Sequence, residues 1–599
     1  LSPSELYSAK LTHWSERLAR AQRQYDQFGN ARLATGIAAV AVTGFSIGTS
    51  MISPWWLALP VAIFVVLAIV LSRLDQERDA ATRGVAYYER AIGRIEDRWI
   101  GTGSQGERFR DSNHVYADDL DLFGRGSLFE LLSTARTGAG ERTLAEWLLA
   151  PGDREEVVAR QEAVAELSSR VDLREEIALM GEDIRAAVDA RGLSGWGTAP
   201  PVRFFKGARV VAPVLACAAV VAFGYFFARG GFSDATVSAA PFLFAVMAEM
   251  AFGFAVRPSV TAVTGAVSAP AHELRMLALL LERLENEQFS SSRMMRLAGE
   301  LKILGTTASQ RIRRLTRLIE LLDSSENMFF RPIAHLLVWN AQFAMAVEAW
   351  RTVNGPQIGK WIEAAAEFEA LCSLSAYAFE RPDATFPSLE AEGPLFDADT
   401  LRHPLIPIAV AVPNDVRLGV KERLWIVSGS NMSGKSTLMR AVGLNAVMAW
   451  AGAPVACARL NISPLLIGAS MSTHDSLADN RSRFYAEISR LRDVVELART
   501  GHPTLFLLDE LLSGTNSHDR RIGAEAVIRG LVERGAIGLV STHDLALAEI
   551  TSTLDGRAAN VHFEDHLEGG EIRFDYRLRQ GVVTRSNALE LMRAVGLDV

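Results

Sequence analysis

Residues 33–52, LATGIAAVAVTGFSIGTSMI, and 55–72, WWLALPVAIFVVLAIVLS, are apolar almost throughout, and little more than Ser53 and Pro54 separates them. A helix needs about 20 mainly apolar residues to cross a bilayer. Two such runs back to back predict a transmembrane helical hairpin. A second hairpin is predicted at 210–227 and 236–256, joined by the short Gly-rich turn ARGGFSDA. Buried core helices are the alternative, but a core helix usually carries a polar stripe. The first three runs hold no charge at all, and the fourth holds Glu249. Elsewhere the apolar positions recur at helical spacing, over 115–195 and again over 272–378, which predicts an all-α core in two portions. The run 333–350 is broken by His335, Asn340, Gln342 and Glu348 and is expected to be a core helix, not a fifth span.

Composition agrees with this division. The chain is 49% hydrophobic, and the excess sits in a few runs. Basic residues flank the hairpins: Arg17, Arg20, Arg23 and Arg32 before the first, Arg73 and Arg78 after it, Arg203, Lys206 and Arg209 before the second, and Arg257 after it. The turns hold almost none. Basic flanks stay on the cytoplasmic side, so a multi-pass protein of the cytoplasmic (inner) membrane is expected, with its polar mass in the cytoplasm. No cleavable leader is expected, because the first thirty residues are charged and helix-like. The net charge of −8 leaves any nucleic-acid contact to a local patch. One exists at 290–319, where Arg293, Arg296, Lys302, Arg311, Arg313, Arg314 and Arg317 face one acid, Glu300. A solvated helix face, an anionic-lipid surface and a DNA surface all fit it. Three cysteines without a CxxC pair suggest neither a disulfide framework nor a zinc site.

The C-terminal third carries the chemistry. GSNMSGKS at 429–436 fits GxxxxGK[ST], between a buried strand, RLWIVS, and a helical run, STLMRAVGLNAVMAW. A strand, a glycine loop and a helix N-terminus aim backbone N–H groups at phosphate. Gly429, Ser430, Asn431, Met432, Ser433, Gly434, Lys435, Ser436 and Thr437 are thus the expected nucleotide-binding residues. Lys435 is expected to reach the β- and γ-phosphates and Ser436 to bind Mg²⁺. TLFLLDEL at 504–511 reads as a second buried strand ending in two acids: Asp509 for Mg²⁺ and Glu510 to polarise the attacking water. GLVSTHD at 538–544 reads as a third strand whose terminal His543 would sense the γ-phosphate.

At these residues the chain resembles the ATPase domain of the MutS family of DNA mismatch-repair proteins. The phrases that carry the likeness are RHPLIP, VPND, SGSNMSGKSTLMR, DSLADNRSRFYAE, LLDELLSGTNSHD and STHDLALAE, within 401–550, with 561–597 similar to the family's C-terminal portion of that domain. The resemblance implies an α/β P-loop NTPase fold of the ABC/MutS type, with ATP and Mg²⁺ as cofactors and a homodimer with composite sites. Ser482 would complete the partner's pocket in trans, Phe484 and Glu487 keep the pattern around it, and the loop 514–519 would cross the interface. Asn414 of VPND is retained, but Ala411 and Val412 stand where the family places an aromatic residue on adenine.

The departures concern DNA. No Phe-x-Glu wedge is evident, and the second hairpin interrupts the core where the family inserts its DNA clamp. The expected organisation is an N-terminal helical segment with a hairpin (1–116), a first core portion (117–204), the second hairpin (205–258), a second core portion (259–390) and the ATPase domain (391–599). The expected function is a membrane-anchored ATPase, closing as a dimer on ATP and coupled to DNA binding with little mismatch preference. The alternative is an ATP-switched membrane scaffold that recruits protein partners without DNA. A transporter ATPase fits less well, since ADNRSRFYAE is no LSGGQ signature.

Overall fold

The computed structural model describes residues 2–49, 54–180, 190–229, 239–303, 305–430, 432–471, 483–512, 517–543, 545–568 and 571–582. The chain divides into two compact units. One comprises Leu1–Thr134, Ala145–Leu179 and Ser373–Val599; the other comprises Ala135–Leu144 and Met180–Cys372.

The first unit opens with a long helical hairpin, α1 (Pro3–Thr49) and α2 (Ala58–Ile95). Its two ends obey opposite rules. At the base, Tyr7, Trp14, Ala81, Tyr88 and Ala91 are buried together with Val171 of α3 (Val171–Leu179). The polar tips that come with these aromatics are satisfied, as buried groups must be. Glu175 of α3 accepts from Trp14 Nε1, Tyr88 Oη and Lys10 Nζ, each at 2.7 Å. Arg94 grips Glu380 through two bonds of 2.5 and 2.6 Å, and Tyr7 Oη adds a third at 3.4 Å. Towards the tip the same helices turn their apolar side chains outwards: Val40, Leu59 and Val66 are exposed, and Trp55 is 85% exposed.

Among the described residues, three helical stretches are long and apolar enough to cross a membrane, by length and composition: Trp55–Ile95, Ala208–Ala228 and Ala240–Val267. The expected run 33–52 is helical as far as Thr49, and its last three residues lie outside the described residues. The turn of the second hairpin, 230–238, lies outside them too.

The second unit is helical. Here α4 (Ala208–Ala228) packs on α5 (Ala240–Asn286), which continues unbroken past residue 258 although it contains Pro258 and Pro270. Antiparallel to the far end of α5 lies α6 (Ala308–Asp323), with Arg313 bonded to Glu282 and Ser309 N to Glu285 at 3.0 Å. The segment expected as one core helix is two: α7 (Arg331–Leu336) and α8 (Trp339–Asn354). They part at Val338, whose φ of +49° is left-handed and expels a β-branched residue from a continuous helix. Leu336 then packs on Ala219, Ala222 and Ala245. Val338, Ala341 and Met345 pack on Ala208, Ala212, Phe252 and Val256.

The rest of the first unit is α/β. A small sheet, in the order β1-β5-β2-β3, holds β1 (Ser388–Leu389), β2 (Phe396–Leu401), β3 (Asn414–Leu418) and β5 (Arg459–Ile462). The main sheet is built from β4 (Leu424–Ser428), β6 (Leu466–Ser470), β7 (Thr504–Leu508), β8 (Ile537–Thr542), β9 (Ala558–Glu568) and β10 (Glu571–Gln580), in the order β10-β9-β4-β8-β7-β6. All neighbours are parallel except the β9–β10 hairpin. Parallel strands are buried on both faces, and every residue of β4, β7 and β8 is buried. Helices α9 (Lys435–Ala451), α10 (Arg483–Arg499) and α11 (Ser517–Glu533) connect them.

The base of the first hairpin depends on Glu175. Glu175→Ala should cost about 3 kcal/mol, because three buried or half-buried donors lose one charged acceptor. Thermal unfolding of the full chain measures it, and an unchanged midpoint would show that the hairpin base is held by its aromatics alone.

Candidate nucleotide site

β4 ends at Ser428 and α9 begins at Lys435, so the glycine loop must reverse direction within six residues. It does so through backbone that glycine adopts most readily, φ +150° at Gly429 and +107° at Gly434. Gly434 caps α9 and, as a glycine, offers no side chain to accept from the first turn. The helix thus turns the N–H groups of its positive end towards the loop, as an anion site requires. Ser430 Oγ and Ser433 Oγ are buried in the same loop without a hydrogen-bond partner among the described residues. A polyphosphate would satisfy both.

Lys435 is only 5% exposed. Its ammonium donates to the loop carbonyls of Gly429 (3.0 Å) and Ser430 (2.9 Å) and sits 3.4 Å from His543 Nε2. Burial pushes this lysine below its ordinary range, and the negative charges of Glu510 and Asp509 oppose the shift. Asp509 emerges from β7 with its N–H on the Ser470 carbonyl of β6 at 2.9 Å. Its Oδ2 accepts from Ser436 Oγ at 2.6 Å, and its Oδ1 accepts from Ser541 Oγ of β8. The same Ser541 Oγ accepts from the N–H of Glu510 at 3.0 Å. Glu510 Oε1 meets His543 Nε2 at 2.6 Å. Lys435, His543 and Glu510 thus form one continuous contact chain beside the Ser436–Asp509 pair, at the C-terminal ends of β4, β7 and β8.

The turn after β7 is strained: Glu510 and Leu512 have φ of +50° and +55°, costing of order 1 kcal/mol each for such residues. Buried Glu487 of α10 accepts from Leu512 N and helps hold that turn.

The remaining expected residues are distributed unevenly. Met432 and Thr437 are exposed beside the loop. Asn431 and Ser482 lie outside the described residues, as does 514–516 of the expected interface loop. Asn414 is tied to the backbone of β10: its Nδ2 donates to the Tyr576 carbonyl at 3.0 Å and its Oδ1 accepts from Leu578 N at 2.7 Å. Two residues of the site were not singled out from sequence. Ser541 bridges both acids; its only signal was a polar residue inside the strand GLVSTHD. Tyr576 lies over the loop, its Cδ1 only 3.2 Å from where a Cβ on Gly434 would stand. The basic stretch is partly neutralised within its own unit: Arg293 bonds Glu367, Arg313 bonds Glu282 and Arg296 faces Glu300 at 3.9 Å, while Arg311 donates to the neutral amide of Asn354 at 2.8 Å.

A Mg²⁺ ion would find suitable ligands here. Ser436 Oγ and Asp509 Oδ2 are hard oxygen donors already within one bond of each other, and Mg²⁺ takes one or two protein oxygens plus water and phosphate. Among the described residues no cluster of three or more His, Cys, Asp or Glu forms a separate metal centre.

A parallel sheet, a glycine loop between strand and helix, and an acid pair on a neighbouring strand are the arrangement that suits a nucleotide's phosphates. Comparison with known proteins narrows the class. The model of MutS domain V matches residues 425–598, and that of MutS domain III matches 113–375. The endonuclease MutS2 of Thermus thermophilus is 36% identical over 196 residues, 33% of this chain and 25% of that protein. The endonuclease MutS2 of Thermomicrobium roseum is 34% identical over 206 residues, 33% of this chain and 24% of that protein. The DNA mismatch repair protein MutS of Natronomonas pharaonis is 31% identical over 246 residues, 40% of this chain and 28% of that protein. The chain belongs to the MutS family, and it spans about a quarter of the length of these relatives.

Ser541→Ala removes the hydroxyl that holds Asp509 and the Glu510 backbone together. Mg²⁺-dependent nucleotide affinity should fall about ten-fold, the worth of one charge-assisted hydrogen bond. Titration with a fluorescent ATP analogue, with and without Mg²⁺, measures it; equal losses under both conditions would separate Ser541 from the cation site.

Proposed function

We propose that this chain is a membrane-anchored ATPase of the MutS type, working as a dimer in a DNA mismatch-repair-related or other DNA-processing role. The observation that carries the ATPase reading is the Lys435–His543–Glu510 chain beside Ser436 and Asp509. In this reading the loop N–H groups and Lys435 hold the phosphates, Lys435 exchanging a loop carbonyl for a phosphate oxygen. Mg²⁺ on Ser436 and Asp509 supplies charge neutralisation when bound. Glu510 orients the attacking water and takes its proton, and His543 fixes the Glu510 carboxylate while facing the γ-phosphate. Tyr576 offers the ring that Ala411 and Val412 do not, with Asn414 bonded to its carbonyl. Ser482 of a second copy completes the pocket, so dimer closure follows ATP binding and hydrolysis resets it.

The membrane reading is supported by the outward apolar faces of α1 and α2, the exposed Trp55 at the hairpin tip, and the basic flanks. It sets the ATPase on the cytoplasmic side of the inner membrane. The DNA reading draws on the relatives, whose names are an endonuclease and a mismatch-repair protein. The pairing of Arg293 and Arg313 with acids favours the second reading, a nucleotide-switched scaffold for protein partners, because it removes much of the basic face. Lys302, Arg314 and Arg317, which no ion pair holds among the described residues, remain for phosphate.

Lys435→Ala should weaken ATP binding, whereas Glu510→Gln should retain it and slow turnover by about a hundred-fold or more. Steady-state hydrolysis together with nucleotide titration tests both, and normal turnover in either variant removes the assignment. For DNA, binding should be weak and salt-sensitive with little mismatch preference. Arg314→Gln with Arg317→Gln should flatten the salt dependence by about two counterions. Undetectable binding at low salt would leave the scaffold reading.

A further inference from the structure

A cavity of about 1180 Å³ lies inside the helical unit, between α5 and the segment running from the end of α6 to the start of α8. One wall is apolar: Phe242, Val246, Met250, Val256 and Val260 succeed one another along a face of α5. From Phe242 to Arg257 this face is about 22 Å long at 1.5 Å per residue, roughly the depth of one leaflet with its head groups. The opposite wall carries charge. Arg331 and His335 of α7 and Asp323 and Glu326 before it line the cavity, together with Arg257 of α5. No ion pair joins any of these arginines and acids among the described residues. Burial, then the charges of Glu326 and Glu320, holds Asp323 above the usual carboxylate range.

Glu249 also lines the cavity. It is only 8% exposed, and its Oε1 has no hydrogen-bond partner among the described residues. A buried carboxyl oxygen without a donor costs about 1–3 kcal/mol or more, so the site is built for a ligand that brings one. The ligand must also match two guanidiniums, and three carboxyls in all exclude a purely anionic head. Its body must be apolar. Next to the cavity, Met328 and Phe329 are left exposed, Phe329 by 83%, as suits a surface in contact with lipid.

We propose that the cavity binds one phospholipid with a primary-ammonium head group. Its acyl chains follow the α5 wall, its phosphate lies at Arg257 and Arg331, and its ammonium donates to Glu249. A phosphatidylcholine has the same charges but no N–H to give, so the carboxyl selects against it. The proposal rests on the reading that α4 and α5 stand in a membrane.

The test uses the full chain, delipidated in mild detergent and offered dioleoylphosphatidylethanolamine or dioleoylphosphatidylcholine, with retained lipid counted by native mass spectrometry. Wild type should retain one phosphatidylethanolamine per chain, with about a ten-fold preference over phosphatidylcholine, the worth of one charge-assisted hydrogen bond. Glu249→Gln should lose the preference and Glu249→Asp should recover part of it, which separates lost recognition from lost folding. Arg257→Gln with Arg331→Gln should lower retention of both lipids. Equal retention of the two lipids by wild type, or a preference that survives Glu249→Gln, overturns the proposal. Carbonate extraction of native membranes distinguishes the underlying failure: release of the chain removes the membrane reading and this site with it. Retention of the chain in the membrane without lipid preference removes this site alone.

Discussion

The hydrogen bond between Ser436 and Asp509 joins residues 73 positions apart, and the chemistry of the α/β unit is arranged around it. It sets the spacing between the loop helix and the end of β7. Once that spacing is fixed, Glu510 follows at the next position, and β8, registered between β4 and β7, delivers Ser541 and His543 to the same place. Glu510, Ser541 and His543 each lie at or just past the end of a strand whose residues are all buried, so much of the cost of ordering the site is met by the sheet.

The hairpin at the N-terminal end solves a different problem. In the membrane reading proposed above, a helix pair that is polar-satisfied and buried at one end, and apolar and exposed at the other, stands with one end in water and the other in lipid. On that reading the buried carboxylates of Glu175 and Glu380 belong to the end of the hairpin that stays in water. They act economically: each gathers several donors from α1 and α2, so few buried charges fix two long helices.

Much of this was legible in the sequence because burial leaves a direct trace. Strands covered on both faces read as unbroken apolar runs, which located β4, β7 and β8, and the glycine loop marked the turn between β4 and α9. Asp509, Glu510 and His543 were singled out from their positions at strand ends, and Lys435 and Ser436 from the glycine loop that opens α9. Tyr576 could not be found this way, since only the pairing of β10 with β9 brings it to the loop. The break at Val338 left no mark either: a valine in left-handed backbone has no local signature and is held there by packing against α4 and α5. The net field of the basic stretch was hard to judge for a related reason. Its neutralising partners Glu282 and Glu367 lie in helices outside the stretch, so counting charges along it overstated its field.

The rigid base of the first hairpin has a consequence for assembly. If the tip is embedded, the nucleotide-binding unit is carried at a fixed stand-off from the bilayer by helices clamped at Glu175 and Glu380. Two copies then meet by lateral diffusion within a thin layer, already sharing one orientation about the membrane normal. Encounter depends on surface density rather than bulk concentration, and part of the rotational entropy of association has been removed beforehand. A contact too weak to hold a dimer in free solution would then suffice, and the amount of protein per unit area of membrane would become a control on the switch.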